Sequence, residues 1–129
     1  MPVLALIAGA IIGTGLRIGL DALIPHTDTQ FPVSTLLINV VGSFALGLLV
    51  ARVWPVAPAW LRVGLGTGLL GSFTTFSAFA FSLVTLTRAG LGWVGLAYLI
   101  ASIVAGFGAA ALGLRLGRRR AAPPIEADE

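Results

Sequence analysis

Four apolar stretches, each long enough to cross a bilayer, fill almost all of this 129-residue chain. A hydrocarbon core about 30 Å thick takes roughly 20 helical residues at about 1.5 Å each. The first stretch runs from about Pro2 to Ile24, with Arg17 and Asp21 its only charges. The second spans about Val33 to Val53, the third about Val63 to Thr87, and the fourth about Leu91 to Leu114. Prolines flank these stretches and are absent inside them, where they would break hydrogen bonds that lipid cannot replace. Charged residues make up 10% of the chain, against roughly 25% in an ordinary soluble domain, too few to coat a globule in water. The sequence therefore predicts an all-α membrane protein with four transmembrane helices. Residues 1–114 read as one four-helix transmembrane domain, and 115–129 as a polar, disordered tail with an Arg118-Arg119-Arg120 run.

Several functions are excluded by what is missing. The chain has no cysteine and one histidine, His26, whose loop offers only Asp28 as a second ligand. That spacing makes a poor metal site, and His26 reads as a surface residue. Gly66-x-Gly68-x-x-Gly71 matches a dinucleotide fingerprint as a string, but it lies inside an apolar span with no acid between Asp28 and Glu126. No pair of carboxylates sits within the spans for acid–base work, so the chain does not read as an enzyme. A net charge of +3 carried by scattered arginines does not make a nucleic-acid face. The first span lacks a basic leader and is too long for a signal peptide, so it reads as a retained helix.

Glycine spacing supplies the packing rule. Gly9 and Gly13, Gly15 and Gly19, Gly64 and Gly68, and Gly113 and Gly117 are small-xxx-small pairs that let helix backbones approach closely in lipid. Four spans make a thin bundle, so self-association or a partner chain is expected.

Polar groups at membrane depth are costly and mark pathways. Asn39 lies near the middle of the second span, and Tyr98 and Ser102 sit one turn apart in the fourth. The third span carries four glycines from Gly64 to Gly71, then Ser72, Thr74 and Thr75, a poor continuous helix. It is expected to break near its middle, freeing carbonyls that must line a cavity or meet a cation. Phe73, Phe76 and Phe79 recur every third residue, which on a helix makes one slanting stripe. Packing alone explains such a stripe, yet Thr74, Thr75 and Ser77 interleave with it. A phenyl ring has a positive edge, and hydroxyl and amide donors act in the same sense. The set suits a small, hard anion that must be stripped of water and then released.

Three motifs carry a family resemblance across all four spans: Gly9-Ala10-x-x-Gly13-x-x-x-Arg17, Thr35-Leu36-x-x-Asn39-x-x-Gly42-Ser43-Phe44, and Gly71-Ser72-Phe73-Thr74-Thr75-Phe76-Ser77-Ala78-Phe79. The chain resembles the CrcB/Fluc fluoride channels. That family often has threonine where Ala78 stands, so one hydroxyl is absent here. The resemblance implies an antiparallel dimer with two fluoride pores at its interface, in the plasma membrane. It implies a pore built from Asn39, Thr75, Phe76, Ser77, Phe79, Tyr98 and Ser102. It further implies a structural, untransported sodium ion (Na+) on the backbone carbonyls of Gly71 and Thr74 of both subunits. The implied partners are fluoride and membrane lipid, and the implied role is passive fluoride export that limits cytoplasmic toxicity.

Arg17 has two readings that can coexist: a helix-end ion pair with Asp21 one turn on, or a positive charge gathering anions in a vestibule. Two other classes compete with this reading. A small multidrug-type exporter carries a membrane-embedded glutamate on its first helix, which is absent here. A non-transporting scaffold would need the glycine pairs but leave the polar third span without purpose. Arginine bias sets membrane orientation. Arg52, Arg62, Arg115, Arg118, Arg119 and Arg120 fall on the side of the termini, against Arg88 and at most Arg17 on the other. That asymmetry keeps a heterodimer with an oppositely inserted homologous subunit beside the antiparallel homodimer.

Overall fold

Runs of Leu, Ile, Val and Ala without internal proline hold their backbone bonds within the segment, so they fold as helices. A computed structural model describes residues 1–119 apart from 26, 28 and 29, and among these there is no strand. The expectations for His26 and for the tail from Arg120 onward fall outside the described residues. The first span is α1 (Pro2–Leu23) and the second is α2 (Val33–Arg52). The third is assembled from α3 (Ala59–Arg62), a π-helical stretch Val63–Leu70, α4 (Gly71–Phe73) and α5 (Phe76–Arg88). The fourth is α6 (Gly92–Arg119). Four helical spans are thus long and apolar enough to cross a membrane.

The last helix departs from the sequence reading, which began the tail at Arg115. Helix continues through Arg119 because Leu and Arg are good helix formers and cations favour a helix C-terminus. Gly117 also pins this turn to the end of α2: a Cβ there would lie 2.7 Å from Ala51 Cβ.

Glycine decides which helices pair. A Cβ on Gly9 would strike the Gly64 carbonyl, one on Gly13 the Leu69 carbonyl, and one on Gly68 would come 2.7 Å from the Leu6 carbonyl. Gly64 packs on Ala5 and Leu69 on Gly13, so the two segments advance together and α1 lies parallel to the π-helical stretch. The wider coil suits a sequence with glycine at positions 64, 66 and 68, where no side chain holds the backbone to a tighter pitch. A second parallel pair joins α6 to α2: Gly113 meets the Phe44 carbonyl and, further along both helices, Gly117 meets Ala51. The Gly15–Gly19 pair, by contrast, has nothing within 4 Å. Sequence neighbours α1 and α2 touch only lightly.

The link between α5 and α6 is a tight helix stop. Gly90 takes φ +77°, Gly90 N–H donates to Thr87 O at 3.2 Å, and Leu91 N–H donates to Leu86 O at 2.9 Å. That is a Schellman closure, and it turns the chain back with no further residues.

Candidate functional site

The third span loses its helix at two residues. Thr74 has ψ 156°, and Thr75 has φ −144° and ψ 121°, so both are extended between α4 and α5. Backbone polar groups freed in an apolar surrounding need partners. Thr74 returns both its N–H and its Oγ1–H to the Leu70 carbonyl, each at 2.9 Å. Thr75 turns to another helix. Its N–H donates to Asn39 Oδ1 at 2.8 Å, and Asn39 Nδ2 donates to its carbonyl at 2.9 Å. The Thr75 side chain then caps α5, with Oγ1 accepting from Ala78 N–H at 3.1 Å and lying 3.2 Å from Ser77 Oγ.

These two residues divide the phenylalanine stripe, which is a correction to the helical-stripe reading. Phe73 belongs to α4 and is buried against the open face of Gly42. Phe76 and Phe79 start α5, their ring centroids 5.8 Å apart, and Phe76 is 79% exposed on the outer face. Extended backbone at Thr74 and Thr75 swings the chain between Phe73 and Phe76, so the three rings do not share one side. Phe79 lies 5.2 Å from the ring of Tyr98, and Tyr98 meets Phe31 edge-on at 5.5 Å and 85°. Phe31 thus extends the aromatic row. No sequence signal pointed to it, since it stands alone in the loop before Pro32.

Tyr98 is fully buried, facing the hydroxyls of Thr35 and Ser102. Even so, its own hydroxyl and Ser102 Oγ are buried without a hydrogen-bond partner. Buried donors left unpaired cost roughly 1–3 kcal/mol each, so they mark a place where an acceptor belongs. Ser102, Phe79, Asn39, Ser43 and Gly106 line one open cavity of about 350 Å³.

A second cavity of about 380 Å³ shares Asn39 and Ser43 with the first and is lined further by Gly42, Gly71, Thr74 and Thr75. Because the Thr75 N–H bonds to Asn39, the Gly71 carbonyl is released from the bond it would accept in a continuous helix. Among the described residues no three His, Cys, Asp or Glu side chains cluster to hold a metal. A backbone carbonyl freed in this way is an oxygen donor of the class that suits a hard alkali ion. A third cavity, of about 490 Å³, gathers Arg17, Asp21, Thr35, Thr75 and Ser77. The residues expected from sequence at the pore, its mouth and the cation site thus border one of three cavities around Thr75 and Asn39, except Tyr98, which lies buried behind Phe79. Thr35 and Ser43, which the sequence marked only as members of the Asn39 motif, join them.

The model of the CrcB-like protein, Camphor Resistance (CrcB) family matches residues 4–114. The chain belongs to the CrcB family. Relatives include a protein of Streptomyces avermitilis named fluoride-specific ion channel FluC 1, 43% identical over 113 residues, covering 86% of this chain and 91% of that one. A Deinococcus radiodurans protein named fluoride-specific ion channel FluC is 48% identical over 95 residues, covering 70% and 73%. One of Paracoccus denitrificans, of the same name, is 38% identical over 110 residues, covering 85% and 89%. The matched region of this CrcB-family chain takes in all four spans and every cavity described above. Membership and spans together make it a multi-pass membrane protein and not an enzyme.

Proposed function

We propose that this protein is a fluoride-selective channel that lets fluoride leave the cell passively across the plasma membrane, so limiting its toxicity inside. The observation that carries the reading is the pair of buried, unpartnered hydroxyls on Tyr98 and Ser102, set beside the ring of Phe79. Such donors call for an acceptor that comes and goes, and fluoride is the smallest monatomic acceptor. The names of the relatives support that choice of ion.

The path then runs past Phe76 and Phe79, whose positive ring edges solvate an anion without a fixed charge that would trap it. Asn39 spends one Nδ2 hydrogen and its oxygen on Thr75, leaving the second Nδ2 hydrogen for the ion. Ser77 and Arg17 border the mouth cavity, where a guanidinium raises the local anion concentration. Extended residues Thr74 and Thr75 serve as the break of the third helix, and the Gly71 and Thr74 carbonyls would hold a structural sodium ion. Bound there, sodium supplies a fixed positive charge between the subunits.

Phe76, at 79% exposed, and the outward Gly15–Gly19 face fit a chain completed by a second copy, which we take to be antiparallel. A second reading of the assembly rests on charge: the parallel packing of α2 and α6 brings Arg52, Arg115 and Arg118 to one end of the bundle. That bias favours one orientation and hence a heterodimer with an oppositely inserted homologue. Fluoride efflux from liposomes holding only this purified chain tests ion, mechanism and self-sufficiency together. Efflux of fluoride without chloride is the expected result, and its absence overturns the homodimeric channel.

A further inference from the structure

Asp21 is the only acidic residue inside the four spans. It stands two residues before the end of α1, where the helix dipole disfavours a carboxylate. Its pairing order with Arg17, acid following base by one turn, is also the weaker one. What favours it comes from the next helix. Ser34 Oγ donates to Asp21 Oδ1 at 2.6 Å, and Ser34 is fully buried as the second residue of α2. The N-terminus of α2 has no side-chain cap of its own, so a carboxylate brought there meets the positive end of that dipole. Asp21 is thus held in place, at the junction of two cavities. One is the mouth of about 490 Å³ that it shares with Arg17, Thr35 and Ser77. The other, about 140 Å³, lies beside Gln30 and Ser82.

An anion pathway needs attraction strong enough to gather ions and weak enough to release them. The Arg17 guanidinium, in a concave, low-dielectric mouth, attracts anions strongly. We infer that Asp21 is a flux-setting counter-charge at this mouth: tethered by Ser34, it offsets Arg17 so that anions collect without being retained. The inference rests on the channel reading and adds to it a residue that works by opposing the transported charge.

The test uses the full chain in liposomes at low, sub-saturating fluoride. Asp21→Asn keeps an oxygen for Ser34 and removes only the charge, whereas Ser34→Ala keeps the charge and removes the tether. At about 0.01 M ionic strength, where screening acts over about 30 Å, Asp21→Asn is expected to raise fluoride efflux about threefold or more. At about 1 M, where it acts over about 3 Å, the gain shrinks to less than about 1.5-fold. Ser34→Ala stays within about twofold of wild type at both. Wild-type flux with an Asp21→Asn rate equal or lower at low salt overturns this inference alone. So does a gain that persists at high salt, since that marks helix packing and not charge. Wild type that carries no fluoride takes down the channel reading, and this one with it.

Discussion

The side-chain amide of Asn39 pairs with both backbone groups of Thr75, donating to its carbonyl at 2.9 Å and accepting from its N–H at 2.8 Å. An amide matches a peptide unit group for group, as a neighbouring strand would. It lets two residues leave the helix at membrane depth with their polar groups satisfied. The residue that seemed from sequence to serve the ion alone therefore also fixes the shape of the third span.

Asn39→Asp exchanges the Nδ2 donor for an oxygen that faces the Thr75 carbonyl. The lost bond and the repulsion cost about 1–3 kcal/mol, and a carboxylate also repels an anion. Fluoride efflux is expected to fall by at least about tenfold, and further than in Asn39→Ser. Equal efflux in wild type and Asn39→Asp refutes the role.

Phe76→Ile and Phe79→Ile keep apolar bulk and remove the positive ring edge. Each single variant is expected to lose about tenfold or more in efflux while eluting as the same oligomer. Phe79→Ile also removes the partner of the Tyr98 ring. Unchanged flux in both variants sinks the pore assignment.

Glycine substitutions separate the interfaces within one chain from the outward face. A Cβ at Gly13 collides with the Leu69 carbonyl, whereas one at Gly15 meets nothing within 4 Å. Gly13→Ala is expected to destabilise by about 1–3 kcal/mol, read as a lower melting temperature in detergent. Gly15→Ala leaves the melting temperature of the isolated chain in place.

The proposed sodium site uses carbonyls, so Thr74→Ser, which preserves the hydroxyl bond to Leu70, is expected to retain it. Replacing sodium by a large organic cation lowers thermal stability in wild type and Thr74→Ser alike, with a graded dependence on sodium concentration. No sodium moves with fluoride in tracer flux. A melting temperature indifferent to sodium counts against the site.

Topology reporters fused at Glu129 decide the assembly. Reporter signal on both sides, with fluoride resistance conferred by this chain alone, supports the antiparallel homodimer. A single cytoplasmic orientation, inactive until an oppositely inserted homologue is co-expressed, would falsify it.

Some of this was legible along the chain and some was not, and the division has a physical cause. Hydrophobic length is a local property, so the four spans and their short links could be read from residue order, as could the poor helix of Gly64–Thr75. The glycine pairs announced close packing, but pairing is a choice among faces. Only the three-dimensional arrangement shows that Gly9 and Gly13 press on the π-helical stretch, that Gly113 and Gly117 press on α2, and that Gly15 and Gly19 face outward. The aromatic period of three assumed one helix, and two extended residues undid it for Phe73. Asp21 and Ser34, thirteen positions apart, carried no pattern linking them until the ends of two helices met. Sequence by itself determined that this chain lives in a membrane and carries donors there, because solvation follows from composition residue by residue. Which donors face one another was decided by tertiary structure, because hydrogen bonds depend on distances that sequence separation does not encode.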